Sequence, residues 1–479
     1  MNIGSEMQEI SSNNKRIAKN TLLLYFRMLV TMAVSLYTSR VVLNILGVED
    51  FGIYNVVGGI VAMFGFINGS MTSATQRYLT FELGQNNRAQ LTKVFSTSLS
   101  IHGIISFLII VLAETVGLWF LWNKMQIPAD RMNAAFWVFQ CSVAASVIMI
   151  MSVPYNAAII AHERMSAFAY ISIIEVSLKL LIVCFLRYFH TDKLILYAAL
   201  IVIVQFLIRL CYSWYCNRHF NETKYRWSWD KGLFKEMTGF ASWNMFGSLA
   251  AITFTQGLNL LLNMFFGPVV NAARGIAVQA QTAIGQFSSN FQTALNPQIT
   301  KSYATGDMEY MHGLIFRSAK FSFFLLLLLS LPVLIETKAI LTLWLKIVPD
   351  HTVVFLRIML CTTWVYAVSN PLITAASATG KIKLYQSVVG GLLLLILPIS
   401  YLCLRFGLPA YSVFIVHLVI EITAQFARLL MLKRMIKLSL REYFSKVVWC
   451  IFKVTAIALA VPLAVAYWQP GEGIWNLLT

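Results

Sequence analysis

Charge is scarce in this sequence, and the scarcity excludes most kinds of soluble protein. Only 12% of the 479 residues are Asp, Glu, Lys or Arg, whereas 58% are hydrophobic. A soluble domain carries roughly twice as much charge, at about 25% of its residues. A chain of this length cannot cover a water-facing surface with so few charged groups. The composition therefore excludes a soluble enzyme, a disordered chain and a secreted disulfide scaffold, and it predicts a multi-span membrane protein.

Catalytic and metal-binding motifs are missing as well. The seven cysteines form no C-x-x-C pair, and no histidines near them suggest a zinc site, so we interpret them as small apolar packing residues. The sequence contains no H-E-x-x-H, no G-x-S-x-G and no Gly-rich phosphate loop. No acidic pair lies in a long loop. These absences predict a protein that is not an enzyme, with no catalytic residues, no metal site and no cofactor.

Basic residues outnumber acidic residues and give a formal net charge of +17. Cytoplasmic loops of membrane proteins carry an excess of Lys and Arg. No basic run carries the interleaved aromatic residues of a single-strand nucleic-acid binder, so we expect no nucleic-acid partner. Most loop Lys and Arg residues fall on the inner side when the N-terminus is placed there, which predicts a cytoplasmic N-terminus.

Apolar segments long enough to cross a bilayer core, about 20 residues each, recur along the chain. They predict thirteen spans, at 18–46, 50–80, 93–121, 133–161, 166–188, 194–216, 233–263, 268–300, 313–345, 352–379, 384–405, 409–432 and 447–468. The longest connection, 217–232, predicts a cytoplasmic linker between one six-helix lobe at 1–216 and another at 233–432. The last segment, 433–479, is predicted to hold a basic cytoplasmic stretch and the thirteenth span.

The two halves resemble each other around two turns. VVLNILGVEDFG (41–52) lies between spans one and two, and LLLNMFFGPVVN (260–271) lies between spans seven and eight. A long, unusually polar helix follows each turn, and the even number of spans between the copies gives both the same orientation. The predicted fold is an all-α polytopic membrane protein of two six-helix lobes. A parallel pseudo-two-fold repeat relates the lobes, and at least one extra span follows them.

Polar stripes mark spans one, two, seven and eight, which are equivalent pairs in the two halves. Residues advance about 100° each around a helix, so Arg274, Gln281 and Gln292 share one face of span eight. Such residues face either a water-filled cavity or a neighbouring helix, and the pairing of the stripes favours a cavity between the halves. The predicted substrate-binding residues are Arg27, Thr31, Asn68, Asn244, Asn259, Arg274, Gln281 and Gln292.

Two further arginines lie near the predicted outer ends of their spans. Arg40 and Arg357 would form an outer basic ring together with Arg274. The alternative is that Arg40 extends its guanidinium to lipid headgroups, as long basic side chains do. Both interpretations stay open at the level of the sequence.

Two charged sets lie in the middle of predicted spans and are candidates for ion coupling. Glu175 and Lys179 form an i,i+4 pair in the favourable order. His417 and Glu421 share a face of span twelve with Arg428. A carboxylate beside histidine and arginine can couple to protonation. In both sets the alternative is a structural ion pair.

Two stretches resemble a known family. They are SRVVLNILGVEDFGIYNVVGGIVAMFGFINGSMTSATQRYLTFELG (39–84) and GPVVNAARGIAVQAQTAIGQFSSNFQTALNPQITKSYATGD (267–307). They resemble the Wzx-type polysaccharide flippases of the multidrug/oligosaccharidyl-lipid/polysaccharide exporter superfamily. The resemblance in span order covers nearly the whole chain. Related drug extruders commonly carry an acidic residue in span one, where this chain has Arg27 and Arg40.

The resemblance implies a flippase that moves an undecaprenyl-diphosphate-linked oligosaccharide, such as an O-antigen or capsule unit, across the bacterial inner membrane by alternating access. An ion gradient would drive it, and it would act as a monomer. Its partners would be the lipid-linked oligosaccharide, membrane lipids, and the polymerase and glycosyltransferases of the same pathway. An ion-coupled drug or lipid exporter of the same superfamily is the alternative. A membrane-embedded polysaccharide polymerase is less favoured, because the sequence has no large outer loop.

Overall fold

The structure, a computed structural model, describes residues 3–62, 65–123, 125, 127–189, 191–224, 230–345 and 348–468. Side chains are described within these ranges except at 3–14, 48, 56, 59–68, 268 and 461–468. Over the described ranges the chain is helical and has no β-strand. The chain divides into two compact units, Met1–Ser242 and Trp243–Thr479. The predicted lobe boundaries at 216 and 233 remain a prediction.

Within the described ranges, seven helices and the start of an eighth build the first unit. They are α1 (Ile3–Ala62), α2 (Gly65–Gly84), α3 (Arg88–Leu112), α4 (Leu118–Asn123), α5 (Met132–Ala161), α6 (Met165–Leu186), α7 (Lys193–His219) and α8 (Lys231–Phe266). A π-helical turn at Ala113–Gly117 joins α3 to α4. Val57, Leu121 and Phe139 belong to an apolar core of this unit.

In the described part of the second unit, the rest of α8 is followed by nine further helices. They are α9 (Pro268–Thr305), α10 (Met308–Ile335), α11 (Thr337–Leu345), α12 (Thr352–Ala378), α13 (Lys383–Leu394), α14 (Ile396–Arg405), α15 (Ser412–Met435), α16 (Leu440–Tyr443) and α17 (Trp449–Trp468). Its apolar core includes Leu262, Phe355 and Leu356.

Eleven of the described helical segments are long and apolar enough to cross a membrane. The two predicted spans that do not meet this description are 50–80 and 268–300. Both are helical where the structure describes them, in α1, α2 and α9. The span 50–80 includes positions 63 and 64, which lie outside the described ranges, whereas many hydroxyl and amide side chains lower the hydropathy of 268–300. The chain is a multi-pass, all-α membrane protein, as predicted.

Two predicted spans of the second unit are broken into shorter helices. The segment 313–345 divides at Glu336, between α10 and α11, and the segment 384–405 divides at Leu395, between α13 and α14. Pro398 explains the second break. Proline has no backbone N–H, so it cannot donate to the carbonyl of Leu394, and its ring crowds that carbonyl. Hydropathy alone does not detect such breaks, because both parts remain apolar.

Two glycines show the repeat in the backbone itself. Gly47 lies between the first two predicted spans with φ 80° and ψ 171°, and Gly267 lies between spans seven and eight with φ 79° and ψ −173°. The two glycines are 220 residues apart. An L-residue with a side chain is essentially excluded from this conformation. The same special turn therefore occurs at equivalent places in the two units.

A second pair of turns repeats at the same spacing. Asn87 and Asp307 are the N-caps of α3 and α10, and their side chains accept hydrogen bonds from the backbone N–H of Gln90 and Tyr310. The residue before each cap has a positive φ, 55° at Asn86 and 79° at Gly306. Matching caps at matching positions support the internal repeat independently of the glycine turns.

We expect an alanine at either turn glycine to destabilise the protein. Gly47→Ala and Gly267→Ala should each cost about 1–3 kcal/mol, because a Cβ strains this backbone conformation even though open space surrounds it. The control is Gly52→Ala, a helical position with equally open surroundings, where alanine should be neutral or stabilising. Thermal denaturation of the purified protein in detergent measures the difference. Equal melting temperatures for the Gly47 and Gly52 variants would contradict the strain argument.

Candidate functional site

A cavity of about 400 Å³ lies inside the second unit, among α8, α9, α10, α12, α13 and α15. Small-molecule sites typically measure about 300–1,000 Å³. Four regions of the sequence that lie far apart supply its polar and aromatic wall. The wall includes Phe254, Gln281, Gln286, Ser288, Gln292, Tyr366, Asn370, His417, Glu421 and Arg428.

The two glutamines predicted to bind substrate are part of this wall, and both also tie helices together. The Nε2 group of Gln281 donates to the Thr363 hydroxyl at 2.8 Å. The Nε2 group of Gln292 donates to the Ser322 hydroxyl at 3.0 Å and to the Ala367 carbonyl at 2.9 Å. The polar stripe of α9 thus lines a cavity and also forms hydrogen bonds to neighbouring helices. Both environments that the sequence allowed for the stripe, a cavity and a helix contact, therefore occur.

Glu421 and Arg428 form an ion pair two turns apart on α15. Arg428 Nη1 lies 2.8 Å from Glu421 Oε1, and the side chains are only 5% and 3% exposed for Glu421 and Arg428. The same Nη1 contacts the Ser369 hydroxyl at 3.1 Å, and Nε donates to the Tyr385 hydroxyl at 3.3 Å. The carboxylate therefore has a fixed cationic partner. His417, one turn earlier, packs its ring 4.8 Å from the Phe254 ring.

Arg274 is buried in α9, and its hydrogen-bond partners are neutral. Only 6% of the residue is exposed. Nη1 donates to the Asn259 side chain, and Nη2 donates to the Thr255 carbonyl at 3.0 Å. Within the described ranges Arg274 forms no ion pair with a carboxylate. A buried cation with neutral partners is costly in a membrane-spanning segment, and this makes Arg274 a candidate functional residue.

The remaining predicted residue of the second unit has a structural partner. Asn244 Oδ1 accepts a hydrogen bond from the Gln386 amide at 2.9 Å, which joins α8 to α13. Neither Asn244 nor Asn259 is among the residues that line the 400 Å³ cavity. Their roles in substrate binding remain predictions.

In the first unit, Arg27 is half-buried, and its guanidinium lies over the Phe168 ring at 4.5 Å from the ring centroid. The Thr31 hydroxyl, one turn further along α1, donates to the Met28 carbonyl of its own helix at 3.0 Å. The Asn68 side chain lies outside the described residues. Of the three predicted substrate contacts in this unit, Arg27 is the one with a described contact to another helix.

Glu175 and Lys179 form the ion pair that their spacing predicts. Lys179 Nζ lies 2.6 Å from Glu175 Oε1, and the Gln205 amide of α7 donates to the same oxygen at 3.1 Å. Both side chains remain partly exposed. The contact neutralises the carboxylate, as a structural ion pair would, and leaves it accessible, as ion coupling requires. Both interpretations of the sequence therefore stay open.

The two arginines of the predicted outer ring have different surroundings. Arg40 is exposed. Arg357 reaches the end of α10, where Nε donates to the Thr337 hydroxyl at 3.0 Å and Nη2 donates to the Ile335 carbonyl at 3.2 Å. Arg357 therefore provides a hydrogen-bond donor for a backbone carbonyl at the C-terminus of α10. The ring itself remains a prediction.

Tyr366 and Asn370 of α12 are cavity residues that the sequence analysis did not select. Together with Thr363 they recur at spacings of three and four residues, which places them on one helical face. This weak stripe was the available signal. In the predicted span 352–379, the charged Arg357 is more conspicuous in the sequence than hydroxyl and amide side chains, so it is the residue that the sequence points to.

A second cavity, of about 520 Å³, lies in the first unit near the ends of α2, α5 and α7. His162 Nε2 lies 2.8 Å from Glu222 Oε1, and the His162 ring stacks on Phe220 at a centroid distance of 3.9 Å. Burial raises the pKa of Glu222, but the hydrogen bond and charge of His162, a backbone hydrogen bond and the charge of Arg88 together leave that pKa below its ordinary value. The carboxylate therefore stays ionised near neutral pH.

A family model described as "Polysaccharide biosynthesis protein" matches residues 17–303, more than half of the chain. The chain belongs to this family. No curated protein matches the sequence. The matched range contains both repeat turns, Gly47 and Gly267, and two arginines of the polar stripes, Arg27 and Arg274.

Solved structures of transporters share the fold of this chain. A MATE transporter in its bent conformation gives a TM-score of 0.78 at 12% identity, with 93% of this chain and 97% of that chain covered. An outward-facing multidrug resistance MATE transporter of the MOP superfamily gives 0.76 at 13% identity, with 89% and 96% covered. A MOP superfamily transporter from Pyrococcus furiosus, described as having a binding pocket of reversed polarity, gives 0.73 at 13% identity, with 89% and 96% covered. These matches show a transporter fold.

Proposed function

We propose that this protein translocates an undecaprenyl-diphosphate-linked oligosaccharide from the inner to the outer leaflet of a bacterial inner membrane. Membership of a polysaccharide biosynthesis family supports the substrate class, and the MATE-type fold supports transport. The observation that carries the proposal is the buried guanidinium of Arg274 with neutral partners. The N-terminus is cytoplasmic in this proposal, in keeping with the distribution of basic loop residues.

A diphosphate is the ligand that best complements Arg274. Arginine binds phosphate oxygens through two parallel hydrogen bonds, and the bonds are strong because both groups are charged. A cationic drug would be repelled by the same guanidinium. The first unit has a half-buried guanidinium of its own at Arg27, which is also a predicted substrate contact. The acidic residues in the described second unit do not neutralise Arg274 by an ion pair, so an anionic ligand is favoured over a cationic one.

We propose alternating access driven by an ion gradient, with the protein acting as a monomer. Such a cycle requires two states that differ in their affinity for ion and substrate. Membrane lipids surround the protein, and the glycosyltransferases and polymerase of the same pathway supply the substrate and consume the product. None of these steps requires ATP, and the sequence contains no phosphate loop that would bind it.

Glu175 is better placed than Glu421 to couple an ion gradient. Its carboxylate is partly exposed and neutralised by Lys179, whereas Glu421 is sealed against Arg428. Glu175→Gln should therefore remove the dependence of translocation on the proton or sodium gradient while substrate binding survives. Reconstituted transport with an imposed gradient measures this. Full gradient dependence in the Gln variant would assign Glu175 a structural role.

Reconstitution tests the proposed function directly. Proteoliposomes would carry a fluorescent undecaprenyl-diphosphate-linked oligosaccharide in both leaflets, and a membrane-impermeant quencher would be added outside. The protein should make the inner-leaflet pool accessible to the quencher when an ion gradient is imposed, whereas protein-free liposomes should keep about half of the signal. Transport of a fluorescent organic cation in place of the lipid-linked oligosaccharide would refute the proposal and favour a drug exporter.

A further inference from the structure

The charges on the wall of the 400 Å³ cavity cancel. Glu421 and Arg428 are its acidic and basic residues, and they are paired with each other at 2.8 Å. The other polar groups of the wall are hydroxyls, amides and the His417 imidazole. A wall of this kind presents hydrogen-bond donors and acceptors without a net charge. It suits a neutral polar ligand better than a free ion.

One polar atom of the wall is buried with nothing to bind. The Ser288 residue is only 4% exposed, and its hydroxyl makes no hydrogen bond within the described part of the chain. Gln286 and Asn370 add amide groups to the same wall. A buried hydroxyl without a partner costs free energy that a ligand or water recovers. The cavity is therefore built to receive hydrogen-bonding groups.

Aromatic rings complete the wall. Phe254 and Tyr366 belong to the lining on α8 and α12. Ligand pockets commonly combine apolar and aromatic surface with a few placed polar groups that set orientation. A sugar ring matches this combination, because its hydroxyls need donors and acceptors at the ring edge while its C–H faces pack against aromatic rings.

The cavity lies next to the proposed diphosphate site. Arg274 precedes Gln281 by seven residues on one face of α9, which corresponds to about 10 Å along the helix axis. Arg274 Nη2 also donates to the carbonyl of Thr255, the residue that follows the cavity-lining Phe254 on α8. A ligand whose anionic group reaches Arg274 can thus extend a neutral part into the cavity within the same unit.

We propose that the cavity of the second unit is a sugar subsite, which holds the sugar attached to the diphosphate while Arg274 holds the diphosphate itself. This inference rests on the proposed function and adds a location for the neutral part of the substrate. It assigns Ser288, Gln286 and Asn370 to the sugar hydroxyls, and it assigns Tyr366 to the ring face.

Binding measurements with short synthetic lipids test the subsite. The probes are farnesyl diphosphate and farnesyl diphosphate linked to glucose, galactose or N-acetylglucosamine, with the full-length protein in nanodiscs. At least one sugar-linked probe should bind about tenfold more tightly than farnesyl diphosphate. Gln286→Ala and Asn370→Ala should each weaken binding of that probe about three- to tenfold, the effect of losing one neutral hydrogen bond. Neither variant should change the Kd of farnesyl diphosphate.

Gln279→Ala is the matched control, because Gln279 is an exposed amide on α9 that does not line the cavity. It should leave both constants unchanged. Equal affinity for the bare and all sugar-linked probes would overturn the sugar subsite. Absence of any farnesyl diphosphate binding would instead overturn the proposed function. A sodium-dependent occupancy that Glu421→Gln abolishes, with no sugar preference, would identify the cavity as an ion site and overturn the inference.

Photolabelling gives a readout that does not depend on affinity. A farnesyl diphosphate probe with a diazirine on its sugar should label peptides around Gln286 and Tyr366, which digestion and mass spectrometry identify. Excess unlabelled sugar-linked probe should suppress the labelling, and excess farnesyl diphosphate should suppress it less effectively. Labelling confined to helices of the first unit would contradict the assignment.

Discussion

Replacing Arg274 with alanine is expected to abolish translocation of the lipid-linked oligosaccharide while the protein remains folded and inserted. Losing one partner of a buried, charge-assisted hydrogen bond costs about 2–5 kcal/mol, so the affinity for the diphosphate should fall by at least about thirtyfold. The fold should tolerate the change, since the described partners of Arg274 are a neutral amide and a backbone carbonyl.

Arg274→Lys separates charge from geometry. Lysine keeps the positive charge but presents a compact ammonium, which cannot form the planar two-bond contact of a guanidinium. We expect an intermediate loss if the contact with the diphosphate is bidentate and nearly full activity if charge alone matters. The quenching assay in proteoliposomes measures both variants. Arg405→Ala, an exposed arginine at the end of α14, serves as the control and should retain activity.

A normal translocation rate in Arg274→Ala would remove the main support for a diphosphate ligand. If Arg274→Ala is inactive, the Arg405→Ala control shows whether the loss is specific to Arg274 or follows from removing any positive charge. Size-exclusion chromatography in detergent then checks that an inactive variant is still folded. An inactive variant that aggregates would be replaced by Arg274→Gln, which is closer to arginine in size and keeps hydrogen-bond donors for Asn259 and Thr255.

Breaking the Glu421–Arg428 pair is expected to destabilise the second unit strongly. Both side chains are almost completely buried, and removing one partner of a buried ion pair leaves an uncompensated charge at a cost of about 3–5 kcal/mol. Glu421→Gln should therefore lower the melting temperature markedly in detergent. The double variant Glu421→Gln with Arg428→Met should recover much of that loss, because it removes both charges from the interior.

The exposed pair of Glu442 and Lys446 provides the comparison. Its oxygen and nitrogen atoms lie 2.6 Å apart, yet the side chains are mostly solvated, so Glu442→Gln should have little effect on the melting temperature. A small effect at Glu421 as well would mean that water or an ion reaches the carboxylate. That result would favour Glu421 as an ion-coupling residue.

The sequence predicted the class of fold and most of the relevant helices. Membrane helices satisfy their own backbone hydrogen bonds, so hydropathy along the chain is enough to locate them. The repeat was also visible, because Gly47 and Gly267 occupy equivalent turns. The stripe on α9 was correctly placed on one helical face, since the 100° advance per residue is a local property.

The composition of the cavity was decided by tertiary structure. Gln281 and His417 were selected for different roles, substrate binding and ion coupling, yet they line the same cavity. Tyr366 joins them from a helix on which the sequence drew attention to an arginine. A stripe shows which face of a helix is polar, but not which helix packs against it. That depends on side-chain packing between distant segments.

Tertiary structure also decided which charged side chains have a partner of opposite charge. Spacing along α6 predicted the pair of Glu175 and Lys179, because an i,i+4 contact is local. The sequence did not indicate that the partners of Arg274 are neutral. It also left open whether Glu421 is an ion-coupling residue or part of a structural ion pair. By itself, then, the sequence determined that this is an all-α membrane protein with a repeated, polar set of helices. Only the tertiary structure decided which buried charges are neutralised, because neutralisation depends on contacts across helices.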